Sequence, residues 1–501
     1  MLPATPHPAE QLYAAAAVQY DSLLKSQSTS LTAAIAEYKR RYNRDPPAGF
    51  DKWFAYARSV SSPIIDDYDI INEGLAPLWR YSAAHMNATI TEAARWNLNV
   101  VRCGIVAGKF NTGDCGVFGE RIDEMLANVV ADLPDVNFAI NLLDEPAIMP
   151  AAQPAIAGKQ SVWKLISGGS ASEAIKEACT GQKPPPRRFP LPDIDTRGLS
   201  LVTDVVDAKD SCRHNTEYGA SHGFHVAPST FAYTRHVFPL LSRASTWPFV
   251  DVLFPSPHYA REGEQYDTAH DVAWADKKDG LYWAGKATGL RALDGRWRKG
   301  HRQRLAMLAD GGPFRYLSGA DGSSDGSQWD VFESDDFDDW LFDTHISEIV
   351  QCSPLACLAE ARALRPRQVI LPTDGPTEAY NHRLVLDIDG NSYSGRFYRL
   401  LGSGSTTLKA TLFREWHDDR LVPWFHYIPI SVGMQELPEL VRFMARTERG
   451  RELARRVGGN GRDWHDTALR TVDMTVYMYR LVLELARVFD PMREPGVEAK
   501  V

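Results

Sequence analysis

Long apolar runs are missing from this chain of 501 residues. None approaches the roughly 18 residues that a membrane-spanning helix needs, and residues 1–30 lack the basic-then-apolar layout of a secretion signal. Basic surplus is missing too. Lys and Arg number 55 against 64 Asp and Glu, for a net charge of −9, which argues against a general nucleic-acid binder. A few local arginines could still hold a small anion against that global sign. No CxxC occurs, which disfavours zinc ribbons and thioredoxin-type chemistry, and neither GxSxG nor HExxH is present, which removes two common hydrolase readings. The six cysteines, Cys103, Cys115, Cys179, Cys212, Cys352 and Cys357, are even in number, so both disulfides in an oxidising lumen and buried thiols remain open. One glycosylation acceptor, Asn87-Ala-Thr, hints at the secretory route.

What is present is ordinary for a soluble enzyme of two or three domains: 44% hydrophobic and 24% charged residues. "EQLYAAAAVQYDSLL" and "LTAAIAEYKRRY" read as helices, and "RDPPAGFDKWFAYA" breaks the chain and restarts it as another. "NVVRCGIVAG", "GERIDEMLANVVADL" and "VNFAINLL" then read as strand, helix and strand, an alternation that favours an α/β architecture with parallel strands. Residues 151–200 read as an insertion or long surface loop, and "GADGSSDGSQWDVFESDDFDDW" as an exposed acidic loop. Residues 436–489 read as two or three helices, with "RTERGRELARRVGG" a solvated face. The pattern is two α/β halves and a helical tail, with the cleft between the halves as the expected ligand site.

The chemistry-bearing stretches fall at strand ends. "DIDGNSYSGRFYRLLGSGS" follows the apolar run Leu384–Ile388. Gly390 and Gly395 allow close backbone approach, Arg396 supplies a fork suited to phosphate oxygens, and a helix start adds N–H groups. A Gly-rich turn with surface arginines is the plainer alternative. "YWAGKATG" followed by "GHRQRL" repeats the layout with Gly285 and Arg302. "NFAINLLDEP" puts Asp144 at the end of an apolar strand in the other half. Asp144 and Glu145 are adjacent and point oppositely on an extended chain, so they do not form a glycosidase pair; one suits general-base work, the alternative being a turn cap before Pro146. A calcium loop starting at Asp387 fails, because Ser392 and Tyr398 stand where Gly and Glu are required. Asp-x-Asp pairs recur, including Asp67–Asp69, Asp193–Asp195 and Asp387–Asp389, so that metal-associated pattern carries little weight.

"RRYNRDPPAGFDKWFAYA", "INLLDEP", "LYWAGKATG", "RWRKGHRQRL", "LDIDGNSYSGRFYRLLGSGSTTLKATLFREWHDDRLVPWFHYIPI" and "DMTVYMYRLVLELARV", in this order, resemble the CAP10-type glycosyltransferases, glycosyltransferase family 90. The Pro-Pro-x-Gly-Phe-Asp-Lys-Trp opening resembles the fungal branch with capsule-associated β-1,2-xylosyltransferases; animal relatives are protein O-glucosyl/xylosyltransferases. The resemblance implies a GT-B fold, two Rossmann-like domains facing a cleft: residues 1–255 on the acceptor side, 256–475 on the UDP-sugar side, and a C-terminal helix 476–501 packing back on the first. It implies an inverting, metal-independent transferase moving xylose from UDP-xylose to a mannose-containing glycan, with a β-linkage. UDP-glucose as donor, or a non-catalytic glycan- or nucleotide-binding member, is the alternative. By resemblance Asp144 is the catalytic base. Gly285, Lys286, Arg302, Asn391, Ser392, Tyr393, Ser394, Gly395 and Arg396 bind the UDP-sugar, and His258 and Tyr259 lie on the acceptor side. No metal, cofactor or nucleic acid is implied. The place of work is the Golgi or secretory-pathway lumen, any signal or anchor lying outside this chain. Two departures from the family pattern are Ala284 and Lys286 around Gly285, where Arg and Ser/Thr are usual, and His382-Arg383-Leu384, where Tyr-Lys-Tyr is usual.

Overall fold

Runs rich in Val, Ile and Leu become short strands, and a computed structural model shows how they pair. It describes residues 6–111, 115–150, 163–180, 184–261, 263–318, 331–365, 370 and 374–492. The acidic stretch 319–330 and parts of 151–200 lie outside those residues. Strands β1 (Val100–Val106), β2 (Lys109–Phe110) and β3 (Val136–Asn141) form one edge of a five-stranded sheet. A separate ribbon pairs β4 (Trp163–Ile166) with β5 (Phe231–Thr234). Strands β6 (Leu240–Ser242) and β7 (Val252–Leu253) complete the first sheet in the order β2-β1-β3-β6-β7.

This sheet is not wholly parallel, contrary to the reading of strand–helix–strand alternation. β3, β6 and β7 run parallel, but β1 runs antiparallel to β3, Ile105 facing Val136 and Val100 facing Asn141. The cause is the hairpin at Ala107 and Gly108, both at positive φ (50° and 69°). Because β2 stops after two residues, the chain stays at the end of β1 that it has just left. The intervening helix, Gly119–Leu126, is too short to carry it back.

The second sheet is built from β8 (Lys278–Lys286), β11 (Phe342–Glu348), β12 (His382–Ile388), β13 (Thr406–Ala410) and β14 (Ile428–Ile430), with a ribbon of β9 (Phe314–Leu317) and β10 (Val331–Ser334) beside it. All its pairings are parallel, and the order is β11-β8-β12-β13-β14. Numbered by its own strands, that is the 2-1-3-4-5 order of a doubly wound sheet. The order reverses between β8 and β12, and ligands of such sheets bind outside the carboxyl ends at that point. β12 is buried along almost its whole length, as a central parallel strand should be.

Three helices close the described chain: Leu437–Arg446, Glu448–Ala468 and Thr471–Val488. The middle one keeps Arg455 and Arg456 in water beside Glu452 and turns glycines inward. A Cβ on Gly458 would sit 2.2 Å from the Gly404 carbonyl, so that helix lies directly on the chain before β13. The last helix packs on the first sheet's side: Tyr477 Oη donates to Leu253 O, Thr475 Oγ1 to Met125 O, and Trp53 Nε1 to Val476 O. The first helix, Pro8–Lys25, does the reverse. His7 stacks on Phe443, Tyr20 stacks on Phe425 and meets Trp464 edge-on.

All six cysteines are paired: Cys103–Cys115, Cys179–Cys212 and Cys352–Cys357. Asn87 lies inside the helix Ala83–Trp96, half-buried, with its side chain accepting from Asn137, so the one acceptor sequence is poorly presented for glycosylation. Non-reducing peptide mapping should return these three cysteine pairs and no others. Replacing Cys179 and Cys212 together by serine, which opens a 33-residue separation, should lower stability by about 3–4 kcal/mol, read as a drop in unfolding midpoint.

Candidate functional site

β3, β6 and β7 all end toward the same gap into which β8 and β12 end, and the residues just past those ends touch across it. Asp144 follows β3, Arg243 follows β6, and Ser256 and His258 follow β7; Gly285 closes β8 and the loop 389–396 follows β12. Asn391 Nδ2 donates to Asp144 Oδ2 at 3.2 Å. Tyr393 Oη lies 2.6 Å from Ser256 Oγ. A Cβ on Gly395 would fall 2.3 Å from the His258 ring, so only glycine lets these two segments meet.

Asp144 sits on a turn fixed from below. Asn141 donates to the Glu145 carbonyl and accepts from Leu143 N, while Asp251, buried, accepts from Ala147 N, Ile148 N and Ser242 Oγ. The two adjacent carboxyls part company as an extended turn requires. Glu145 turns inward to Thr230, accepting from its N–H and hydroxyl, and Asp144 turns into the gap with 44% of its side chain exposed. Its Oδ1 accepts from Arg243 Nη2 at 3.0 Å.

Across the gap, Arg302 is 7% exposed and binds three carbonyls: Asp389 through Nε (2.7 Å), Lys286 through Nη1 (2.8 Å) and Ile388 through Nη2 (3.3 Å). It therefore ties the carboxyl ends of β8 and β12 together at the switch point. Arg396 Nη1 donates to the Ala284 carbonyl at 2.6 Å, and its Nη2 would lie 3.2 Å from a Cβ on Gly285. Burial, and then the Arg396 cation, pull Arg302 down to about 9; burial and the Arg399 cation pull Arg396 down too. Among the described residues neither guanidinium forms an ion pair, whereas Arg399 pairs with Glu264. Two partly desolvated cations with no carboxylate in direct contact among the described residues suit an anion. Ser392 Oγ and Trp283 Nε1 are buried beside them without hydrogen-bond partners among the described residues.

The remaining sequence-derived residues are placed as follows. The Lys286 side chain is 58% exposed and pairs with Glu348 on β11; only its carbonyl joins the cluster. Ser394 is buried, its carbonyl 3.5 Å from Tyr259 Oη. Tyr259 is itself buried, stacks on Tyr398 and gives its hydroxyl hydrogen to Glu415 at 2.5 Å. His258 is half-buried beside Glu264, with burial lowering its basicity. The Asp-x-Asp of β12 is tied up inside the fold: Asp387 pairs with Lys409 at 2.7 Å, and Asp389 accepts from Leu412 N and meets His222 at 3.2 Å.

Sequence reasoning passed over Arg243, His222 and His301. The two histidines stack at 4.1 Å behind Asp389. Gly223 N donates to His301 Nδ1, so Nε2 carries the hydrogen that goes to the Asp389 carbonyl. Burial holds His222 at about 3 and His301 well below its ordinary value, so both stay neutral.

Glu145 supplies a pH test of the turn beneath Asp144. Burial raises its carboxyl to about 7. A carboxyl raised above its unfolded value contributes stability that is complete below the unfolded pKa and lost as pH rises through the folded one. Glu145→Gln keeps the shape and should unfold at a higher temperature than wild type at pH 8, by up to about 3 kcal/mol, with the advantage shrinking toward pH 5. Equal midpoints at both pH values would contradict the assignment.

The architecture is mixed α/β, and its switch-point loop carries Arg396 and the unpartnered Ser392 hydroxyl. Residues 374–499 match the family model described as Glycosyl transferase family 90, the glycosyltransferases of the CAP10 type.

Proposed function

We propose that this protein is an inverting, metal-independent glycosyltransferase with a GT-B arrangement, residues 1–255 forming the acceptor side and 256–475 the UDP-sugar side. Its donor is UDP-xylose and its acceptor a hydroxyl of a mannose-containing glycan, joined in a β-1,2 linkage. The observation that carries the reading is the hydrogen bond between Asn391 and Asp144. It sets a solvent-facing carboxylate against the loop that carries Arg396 and is bonded by Arg302, cations that form no ion pair among the described residues. Three disulfides suit a working place in the oxidising Golgi or secretory lumen.

The chemistry follows from that geometry. The diphosphate lies along 391–396 near Gly285. Arg396 reaches it directly, and Arg302, occupied by carbonyls, contributes its field from behind. The acceptor hydroxyl takes the place of the Asn391 amide at Asp144 Oδ2 and gives up its proton there. Its oxygen forms the new bond to the anomeric carbon as the bond to the β-phosphate breaks on the opposite face. UDP leaves with the electron pair, and the two cations stabilise that charge more in the transition state than before it. His258 and Tyr259 border the acceptor, Tyr259 by holding the backbone at Ser394.

Asp144→Asn should lower kcat by roughly 10²-fold or more while leaving UDP binding unchanged; wild-type turnover would remove Asp144 from the mechanism. Arg396→Ala should weaken UDP binding by about 1.5–3 kcal/mol, measured by calorimetry. Activity should persist in EDTA. A panel of UDP-sugars read by product mass decides between xylose and glucose, and the absence of UDP release with every donor would favour a non-catalytic binder.

A further inference from the structure

Arg243 stands where the first sheet meets the candidate base, and its bonding pattern is unusual. A single nitrogen, Nη2, shares its two N–H groups among three oxygens: Leu142 O at 3.2 Å, Leu143 O at 2.9 Å and Asp144 Oδ1 at 3.0 Å. Two of these are the backbone carbonyls leading into the turn, and the third is the carboxylate at its tip. The side chain is only 9% exposed. Its guanidinium lies 4.8 Å from the centre of the Phe118 ring and 6.0 Å from that of Tyr393. Tyr393 is anchored in turn by Ser256, so the cation is braced from both sides of the gap.

A carboxylate on an exposed turn has two soft torsions and, unrestrained, presents either oxygen in many directions. A base that must accept one proton along one line gains from losing that freedom. The two oxygens of Asp144 are not equivalent. Oδ1 is held by a charged donor that also bonds the two turn carbonyls. Oδ2 is held by the neutral amide of Asn391, which is half-buried on the other side and whose Oδ1 accepts from Gly289 N. The contact with Arg243 joins two opposite charges and the contact with Asn391 involves only one, so an incoming hydroxyl displaces Asn391 rather than Arg243.

We propose that Arg243 is a positioning residue: it fixes Asp144 through Oδ1 and the two turn carbonyls so that Oδ2 alone faces the acceptor. This rests on the reading of Asp144 as the base. Because all three contacts converge on one nitrogen, a lysine ammonium, which offers three donors from one point, can take over much of the role, whereas an apolar chain of similar length cannot.

The test is a cycle of Arg243→Met and Asp144→Asn, with Arg243→Lys as the conservative variant, measured by UDP release with acceptor present, calorimetric UDP binding and thermal unfolding. The expected result is that R243M lowers kcat roughly tenfold to a hundredfold with UDP affinity unchanged. In the D144N background the same change should have no further effect on the residual rate, and R243K should recover most of the loss. Equal losses from R243M in both backgrounds would overturn the positioning role, as would wild-type turnover by R243M. If R243M unfolds at assay temperature, R243K alone decides: a loss in R243K that persists in the D144N background counts against the proposal, and one that vanishes there supports it. Wild-type turnover by D144N fails the base assignment itself, a result separate from any of these.

Discussion

One buried guanidinium organises the candidate site. Arg302 gives its N–H groups to the carbonyls that end β8 and β12, the two strands between which the second sheet reverses its order. At such a point the chains on either side leave toward opposite edges, and the strand ends splay apart. Three hydrogen bonds from one cation hold that splay at a fixed width. The binding of carbonyls also explains why burial is tolerated there: the donors are satisfied although the charge is not neutralised. The field left over is available to whatever enters.

Charge elsewhere around the gap is divided with some economy. The groups that face it directly, Asp144, Arg396 and Arg243, keep access to water or to one another. The groups behind it are mostly held neutral or cancelled: His222 and His301 as uncharged rings, Glu145 and Glu415 as carboxyls raised to about 7 by burial, Asp387 against Lys409. A neutral backing leaves the charges that face the gap with fewer competitors for whatever enters it.

Much of the site was legible in the sequence because its residues sit at strand ends, and strand ends are marked by apolar runs giving way to Gly, Ser or a charge. Leu384–Ile388 pointed to the loop after β12, and "INLLDEP" pointed to Asp144, both by position alone. Other features depended on pairings that sequence spacing does not encode. The antiparallel run of β1 against β3 turned on a two-residue hairpin at Ala107–Gly108, the last two residues of what reads as a strand. Arg302 reads as a phosphate binder from its place in a helix start, yet its bonds go to backbone. Lys286 reads as a loop cation, yet the strand continues through it and turns its side chain to Glu348. Arg243 escaped notice because nothing in "LLSRAS" distinguishes a buried arginine from a surface one; only the convergence of β3 and β6 does.

The helix Pro8–Lys25 rests on the helices that cover the second sheet, while Thr471–Val488, the last helix described, rests on the first. Each portion of the molecule thus borrows a wall from the opposite terminus. Severing the chain anywhere between Leu253 and Lys278 gives two fragments, and in each the borrowed helix has gone with the wrong partner. The halves are interlocked by exchange of their ends, so neither is a detachable module, although each has a sheet of its own.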